Sequence, residues 1–345
     1  MKTMIIPDVR QHSLEGLTLD HRFGSLFSSQ AWMTAVALGY DLTISASVRI
    51  EGSRIVDAIP FAHVADLRGE RVVCIPFSDY CDPLVTNAEV WSALIEPILA
   101  LELPVSLRCL HNPMPPSDRR FSETGRAMWH AVDLKRPEEE VWAGLASSAR
   151  QNIRKARRNG IVVREGKSLD DVRLFHDMHS SLRKSKYRLL AQPFAFFEEI
   201  HAAFAADDRL TVLLAEVEDR PIAGIFLLEH AGILYYKFNA SIDQRFRPND
   251  LLAWHALLVG QRNGLDKLDF GLSDVDQPGL IRYKEKFATE KNEISIIKHQ
   301  PEGFVDSRGD QAGRLLRDVT TWMTDPEVPD ELTRKAGDAL YRFFC

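Results

Sequence analysis

Basic residues recur at helical spacing in the middle of the chain: Arg150, Arg154, Lys155, Arg157 and Arg158. Residues three or four apart share one face of a helix, so Arg150, Arg154 and Arg158 predict a cationic face. Such a face could bind the phosphates of an RNA acceptor stem or of a diphosphate. The same pattern is typical of a solvated helix surface, and the sequence leaves both interpretations open.

Two further basic groups follow. The members of the first surround an aromatic residue: Arg183, Lys184, Lys186 and Arg188, with Tyr187 among them. Lys186 is a candidate substrate ligand, and the ring of Tyr187 could stack on a sugar or a base. Arg245 and Arg247 form the second group and could hold a phosphate through their side chains. A solvated surface is the alternative for the first group as well.

The composition limits the classes of protein. With 345 residues and 45% hydrophobic side chains, the chain can bury the cores of two ordinary domains. The net charge of -6 excludes a protein that coats nucleic acid non-specifically, because such binding needs an extended basic surface. Any contact with RNA must therefore be local.

Neither a metal site nor a membrane segment is indicated. The four cysteines lack CxxC pairing and zinc-type spacing: Cys74, Cys81, Cys109 and Cys345. His176 and His179 lie three residues apart without a third ligand, which favours a surface or core role. The longest apolar stretch, 90–103, contains two glutamates and is too short to span a bilayer. No signal peptide is visible, so we expect a cytoplasmic protein with reduced thiols and no metal.

The order of predicted elements repeats along the chain. In the first half, a helix from about residue 28 precedes a meander, a helix and two strands, at 41–50, 54–64, 70–75, 88–101, 105–111 and 128–134. The second half has a strand, two helices, a meander, a helix, a strand, a helix and a strand, at 160–165, 169–186, 193–206, 210–217, 221–229, 233–240, 250–262, 267–270, 279–287 and 293–299. This order is that of the GNAT fold, although two unrelated α/β domains would contain the same element types.

Three local segments carry a more specific resemblance. They are the basic run 145–163 that ends in Gly-Ile-Val-Val, the pair of segments 268–273 and 279–287, and the loop Ile-Pro-Phe-Ser-Asp-Tyr-Cys-Asp-Pro-Leu at 75–84. With the elements between them, they cover the chain from about 27 to 299. The sequence resembles the FemAB-like branch of the GNAT acyltransferase superfamily, the branch that contains the peptidoglycan-bridge aminoacyltransferases.

The resemblance implies a fold class and a domain organisation. We expect an α/β (α+β) protein with two tandem GNAT-like lobes, each a mixed, mostly antiparallel sheet flanked by helices, followed by a C-terminal helical tail. The first lobe is placed at 1–145 and the second, catalytic lobe at 146–300. The helices of 301–345 are expected to pack on the second lobe, or instead to mediate self-association, so the oligomeric state is left open.

The resemblance also implies an activity. FemAB-like enzymes transfer an aminoacyl group from aminoacyl-tRNA to an amine of a cell-envelope precursor, and related groups use other acyl donors. We therefore expect an acyltransferase without a tightly bound cofactor that acts on such a precursor or on a peptide-like small molecule. Two alternatives stay open, an acyl-CoA-dependent N-acyltransferase of polysaccharide or natural-product biosynthesis and a non-catalytic precursor-binding module. The acyl group and the acceptor are not specified.

The site residues follow from the matched segments. In the family's Tyr-Lys-x-x-Phe-like stretch the lysine lies at the reaction centre, which here is Lys284 with Tyr283 beside it. Its implied role is to stabilise the negative charge of the tetrahedral intermediate, whereas a solvated helix lysine is the alternative. Asp79 and Tyr80 of the first-lobe loop are implied substrate ligands.

Carboxylates are the candidates for removing a proton from the acceptor ammonium. Asp274 and Asp276 follow the strand predicted at 267–270, and Asp79 and Asp82 are alternatives in the first lobe. Acidic loop residues more often cap turns, and the proton could also pass to solvent or to the substrate. No Gly-x-Ser-x-Gly elbow is found, which favours direct transfer without a covalent enzyme intermediate.

The chain departs from acetyl-CoA-dependent relatives at one loop. Those enzymes have a glycine-rich turn before a helix, whose bare amides bind the pyrophosphate. Here residues 243–250 read Asp-Gln-Arg-Phe-Arg-Pro-Asn-Asp, without a glycine. This disfavours a simple acetyl-CoA enzyme and favours aminoacyl-tRNA or another unusual donor, without excluding acyl-CoA.

Overall fold

The computed structural model of the protein describes residues 2–345. The strands are β1 Lys2–Ile6, β2 Ile44–Glu51, β3 Arg54–Asp66, β4 Gly69–Cys74, β5 Val105–Cys109, β6 Ser122–Asp133, β7 Val162–Gly166, β8 Leu210–Val217, β9 Arg220–His230, β10 Ile233–Ser241, β11 Lys267–Asp274 and β12 Glu290–His299. The helices are α1 Glu15–Asp20, α2 Gln30–Tyr40, α3 Ala88–Leu99, α4 Met114–Ser117, α5 Glu138–Gly144, α6 Ser147–Arg158, α7 Leu169–Leu182, α8 Phe194–Phe204, α9 Pro248–Arg262, α10 Pro278–Glu285, α11 Ser307–Met323 and α12 Asp330–Leu340. Within this part of the chain, no helix combines the length and the apolar character needed to cross a bilayer.

The chain divides into two compact units. The first unit comprises the described residues up to Ala127 together with Glu293–Asp318 and Arg342–Cys345. The second unit comprises Met128–Asn292 and Val319–Tyr341. The lobe boundaries expected from the sequence, at 145 and 300, stay a prediction. The four cysteines are free thiols, and three of them are buried in the first unit.

The sheet of the first unit begins with antiparallel strands. β1 pairs with β2, β2 with β3, and β3 with β4, all antiparallel. β4 then pairs in parallel with β5 through Val72↔Val105, and α3 connects these two strands. A parallel pair needs such a crossover connection, which explains why a helix follows the meander.

The second unit repeats this plan. β7, β8, β9 and β10 are successive antiparallel neighbours, and β10 pairs in parallel with β11 after the crossover through α9. Helix α9 is buried on nearly all sides, from Leu251 to Leu257, because it packs on the sheet and against α6. The predicted fold class is confirmed: strand pairing is mixed and mostly antiparallel in each unit, helices flank the strands, and a C-terminal helical tail follows.

Some elements differ from the sequence prediction. β1, α1, α4 and α5 were not predicted, because they are short or lack a clear apolar period. β6 begins at Ser122, six residues before the predicted start. The helix predicted to continue to Lys186 leaves α-helical geometry after Leu182 and forms a π-helical turn that ends at Arg188 with φ 54°.

The C-terminal α12 packs within the second unit against the chain that follows α7. Lys184 donates to the carbonyl oxygen of Val328 and, at 2.6 Å, to the carboxylate of Asp330. Arg188 donates to the carbonyl oxygen of Thr324. A Cβ on Gly337 would lie 2.6 Å from the carbonyl oxygen of Ala191, so glycine permits this close approach. Lys184 and Arg188, two cations of the basic group around Tyr187, thus hold the start of α12 and the segment before it.

His176 and His179 of α7 are core residues, one of the two roles that their spacing favours. Nε2 of His176 lies 2.9 Å from the carbonyl oxygen of Gln192. Nε2 of His179 lies 2.8 Å from the side-chain oxygen of the same glutamine. Burial, followed by the charge of Arg183, lowers the pKa of His179 to about 3. The folded protein therefore holds this imidazole in the neutral form.

This burial predicts acid sensitivity. The unfolded chain binds a proton at His179 below about pH 6.5, whereas the folded chain does so only near pH 3, so stability is complete above pH 6.5 and falls between these values. Between pH 7 and pH 5 the wild type should lose about 2 kcal/mol more unfolding free energy than His179→Gln, measured by urea denaturation. An equal loss in both proteins would contradict the assignment.

Candidate active site

β10 and β11 separate shortly after they begin. Their parallel pairing runs from Ile233↔Lys267 to Tyr235↔Asp269, although the strands continue to Ser241 and Asp274. In β10 the register against β9 shifts between Tyr236 and Phe238, which marks a bulge. In β11 the main chain turns at Gly271, whose φ of 66° lies in the left-handed region that favours glycine. Both irregularities directly follow the last paired residues, so the strands diverge there.

Lys284 of α10 lies at this divergence. Its ammonium donates to the carbonyl oxygens of Gly271, at 3.0 Å, and Leu272, at 2.7 Å. The residue is 5% exposed. A buried lysine needs such acceptors, because its charge loses the stabilisation of water. The divergence thus contains a fixed cation with little access to solvent, at the position that the family resemblance marks as the reaction centre.

Tyr283 links α10 to α9 and β10. Its hydroxyl donates to the carbonyl oxygen of Asn249 at 3.0 Å and is hydrogen-bonded to the hydroxyl of Tyr236. The side-chain amide of Asn239 donates to the hydroxyl of Tyr236 at 3.0 Å. Burial raises the pKa of both tyrosines well above the usual value of 10. Both hydroxyls therefore stay protonated at neutral pH, which fits a positioning role for Tyr283 better than that of a base.

A buried carboxylate in the first turn of α9 forms an ion pair with a partly buried lysine that follows α10. The carboxylate of Asp250 accepts from the ammonium of Lys286 and, at 3.2 Å, from the side-chain amide of Asn152 in α6. Lys286 also lies over the ring of Tyr283, 4.7 Å from its centroid. Sequence reasoning did not identify this pair. The position of Lys286, two residues after Lys284 in the matched segment, was the one feature of the sequence that could have indicated it.

His130 of β6 is a further residue that the sequence did not reveal. It is fully buried, and neither ring nitrogen has a hydrogen-bond partner within residues 2–345. Burial is the main cause that lowers the pKa of His130, and the positive charge of Lys284 lowers this pKa further. The imidazole is therefore neutral at neutral pH and adds no second positive charge near Lys284.

The candidate bases of the second unit lie at the surface. Asp274 is exposed at the end of β11 and Asp276 is exposed in the turn that leads to α10; Asp274 accepts from the side-chain amide of Gln277 at 3.4 Å. The strand predicted to end at residue 270 therefore extends to Asp274. Their roles stay predictions.

The basic helix α6 has two kinds of arginine and lysine. Arg150 donates to carbonyl oxygens at the end of α5, at 2.7 Å to Ala143 and 2.5 Å to Leu145, so its guanidinium supports the fold. The guanidinium of Arg154 lies 5.6 Å from the ring centroid of Trp142. The remaining side chains point to solvent: Lys155, Arg157 and Arg158. The exposed cationic surface of α6 is therefore smaller than its sequence suggests.

The other basic groups are also divided. Lys186 and Tyr187 are exposed, with the ammonium of Lys186 5.2 Å from the ring centroid of Tyr187. Arg245 forms a 2.5 Å ion pair with Asp243 and is otherwise exposed. Arg247 is exposed immediately before α9, with φ 64°. Within these two basic groups, Lys186, Arg245 and Arg247 are therefore the exposed cations that could contact a ligand.

Asp79 and Tyr80 belong to the first unit. Tyr80 is buried, with its ring 5.0 Å from that of Phe27, and Asp79 is partly buried. The alternative base, Asp82, is buried and accepts from three consecutive main-chain amides: Leu110, His111 and Asn112. Burial raises its pKa while these amides oppose the rise. Asp82 thus anchors the loop, a structural role that the sequence left open.

The Asp250–Lys286 pair gives a measurable coupling. Lys286→Met leaves a buried carboxylate without its cation, so we expect a loss of about 3 kcal/mol of unfolding free energy. Asp250→Asn combined with Lys286→Met should cost less than the sum of the single changes, as measured in a double-mutant cycle by chemical denaturation. Additive losses would show that the pair does not act as a unit.

The family model described as an acetyltransferase (GNAT) domain matches residues 146–285. No match was found among curated protein sequences.

Solved structures show the same fold at low sequence identity. FemX has 12% identity and a TM-score of 0.64, with 92% of this chain and 100% of that chain covered. L-PGS from Bacillus licheniformis has 14% identity and a TM-score of 0.56, with 90% and 97% covered. A tandem GNAT protein of the clavulanic acid biosynthesis pathway has 11% identity and a TM-score of 0.53, with 86% and 98% covered. Residues 146–285 thus match a GNAT acetyltransferase domain, and the chain shares its fold with FemX, L-PGS and the tandem GNAT protein.

Proposed function

We propose that the protein forms an amide bond by transferring an aminoacyl group from tRNA to an amine of a cell-envelope precursor or of a peptide-like small molecule. The observation that carries the proposal is the ammonium of Lys284, fixed on the carbonyl oxygens of Gly271 and Leu272 where β10 and β11 diverge. The GNAT domain and the FemX-like fold support acyl transfer as the reaction class.

The proposed role of Lys284 follows from its surroundings. When the amine attacks the ester carbonyl, the carbonyl oxygen becomes an oxyanion, and a cation held in a water-poor site stabilises that charge strongly. The C–N bond forms, the C–O bond to the ribose breaks, and the amine proton ends on the released ribose hydroxyl. Asp274 and Asp276 are the proposed carriers of this proton, and no covalent enzyme intermediate is needed.

The start of α9 favours a donor other than acyl-CoA. The segment 243–250 has no glycine, and Pro248, the first residue of the helix, has no main-chain N–H. The first turn also contains the carboxylate of Asp250, paired with Lys286. A pyrophosphate at this helix N-terminus would lack the exposed main-chain N–H groups that bind it in glycine-rich loops. The carboxylate of Asp250 would also be close to its negative charge.

The proposed acceptor rests on the relatives. FemAB-like transferases act on peptidoglycan precursors, and one structure with this fold is named as a putative lysylphosphatidylglycerol synthetase, with 13% identity and a TM-score of 0.52. Asp79 and Tyr80 are the proposed acceptor ligands in the first unit. The exposed cations Lys155 and Arg158 of α6, with Arg154, are the proposed contacts to tRNA phosphates.

A second candidate is an acyl-CoA-dependent N-acyltransferase. The tandem GNAT protein of the clavulanic acid pathway is described in a form without acetyl-CoA, which links this fold to that donor. Exposed Arg245 and Arg247 before α9 could bind a phosphate through their side chains. Lys186 of the π-helical turn is a third exposed cation for a substrate.

The donor is tested by mass spectrometry. Purified protein is incubated with amine acceptors and either charged tRNA or acyl-CoA, with and without ribonuclease. We expect an amide product from charged tRNA that ribonuclease abolishes. Ribonuclease-resistant product from acyl-CoA would contradict the tRNA-dependent function and support the second candidate, and absence of product with every donor would support a binding module.

Substitution of Lys284 tests the reaction centre. Lys284→Met should lower kcat by about 100-fold or more, with a smaller change in KM, because charge stabilisation acts mainly in the transition state. The matched control is Lys291→Met, which removes an exposed lysine near the start of β12 and should leave kcat within about twofold. A similar kcat for wild type and Lys284→Met would assign Lys284 to the fold alone.

A further inference from the structure

A groove of about 540 Å³ lies in the first unit, between α3 and the short helix α4. Sites that bind small molecules usually have volumes of roughly 300–1,000 Å³. The lining comes from the first half of α3, from α4 with the proline before it, and from Asp118, Arg119 and Arg120, which follow α4. None of the lining residues has a role in the proposed acyl transfer, so the groove has no assigned function.

The two units differ at this place although their plan is the same. In each unit a helix connects a parallel pair of strands and a second helix follows the pair: α3 and α4 in the first unit, α9 and α10 in the second. In the second unit α10 contacts α9 directly, because the hydroxyl of Tyr283 donates to the carbonyl oxygen of Asn249. In the first unit α4 has four residues, Met114–Ser117, two of them prolines. This short helix leaves an open groove along α3.

Hydrogen bonds fix both walls of the groove. The indole N–H of Trp91 in α3 donates to the carboxylate of Asp118 at 2.8 Å, and the guanidinium of Arg120 donates to the same carboxylate at 2.7 Å. On the side of α4, the main-chain N–H of Met114 donates to the side-chain oxygen of Asn112 at 3.0 Å. A site whose walls are already fixed loses little conformational entropy when it binds a ligand.

The lining combines an apolar surface with a cation. Pro113 and Met114 are not fully buried, and the thioether of a methionine packs well against an aromatic ring. Arg119 is exposed, and no ion pair or hydrogen bond of its side chain is found in the part of the chain that the structure describes. Arg120 is instead paired with Asp118 at 2.7 Å. Within the lining, Arg119 therefore provides a positive charge that no carboxylate balances.

The polar side chains of the lining favour a phosphate as the anion. A guanidinium has five N–H donors in a planar fork that matches the oxygen atoms of a phosphate. The hydroxyl of Ser92, exposed on α3 in the same lining, can donate to a further phosphate oxygen. A groove of about 540 Å³ accommodates a phosphate together with one planar ring system.

We propose that the groove between α3 and α4 binds a ligand of the nucleoside monophosphate class. The phosphate contacts Arg119 and Ser92, and the base packs on Pro113 and Met114. The first unit forms this site alone, and the inference does not rest on the proposed acyl transfer.

The inference is tested by calorimetry on the full chain. The probes are AMP and UMP, each compared with its nucleoside, which lacks the phosphate, and with inorganic phosphate, which lacks the ring. At least one nucleotide should bind about 10- to 100-fold more tightly than its nucleoside and than phosphate, because charge-assisted hydrogen bonds and ring packing both contribute. Equal affinities of nucleotide and nucleoside, or no nucleotide binding up to about 1 mM, would overturn the inference.

Variants assign the binding to the groove. Arg119→Ser should weaken nucleotide binding about tenfold or more and leave nucleoside binding unchanged. Ser92→Trp places a large side chain in the groove from an exposed position and should abolish nucleotide binding at an unchanged denaturant midpoint. The matched control is Arg54→Ser, because Arg54 is an exposed arginine that lines a different groove of the first unit, and nucleotide affinity should stay within about twofold. Nucleotide binding that Arg119→Ser and Ser92→Trp leave unchanged would place the ligand elsewhere and contradict the inference.

Discussion

The early separation of β10 and β11 is the constraint on which the candidate site depends. A bulge in β10 and the left-handed residue Gly271 in β11 end the pairing after Tyr235 and Asp269. Main-chain groups beyond that point need other partners, because a buried polar group without one is costly. Two carbonyl oxygens of β11 receive the ammonium of Lys284. The irregular strands therefore create the position of the cation.

Buried polar contacts keep this region in one arrangement. The hydroxyl of Tyr283 bonds to the main chain of Asn249, and Lys286 pairs with Asp250 in the first turn of α9. These contacts join α10 to α9, the helix that is buried against the sheet of the second unit. One set of interactions thus holds α10, the helix that carries Lys284, against the start of α9.

Much of the fold could be predicted from the sequence. Alternating β-branched segments and turn residues marked both meanders, and Gly264 with φ 68° follows α9 as a helix cap should. The short β1 and α5 lack such periodicity and were not predicted. The π-helical turn after Leu182 was not predicted for another reason. Its residue Lys184 is buried by contacts with Val328 and Asp330, which are distant in sequence.

The site was predictable only where a motif marked it. Lys284 and Tyr283 came from the matched segment, whereas Tyr236, Asp250 and His130 are brought to them by packing between elements distant in sequence. For the basic helix α6, the sequence predicted a larger exposed cationic face than the structure has. Residue spacing shows which side chains share a face, but not which groups that face contacts. Arg150 lies on the predicted face, yet its guanidinium binds the carbonyl oxygens that end α5.

We propose that acyl transfer takes place at Lys284, between the diverging strands. A crystal structure with a phosphonate analogue of the tetrahedral intermediate, built on 3′-aminoacyl adenosine with the acceptor amine attached, would locate the reacting atoms. We expect a phosphonate oxygen within about 3 Å of the Lys284 ammonium. A phosphonate bound at another position, with the Lys284 ammonium still on the carbonyl oxygens of Gly271 and Leu272, would contradict it.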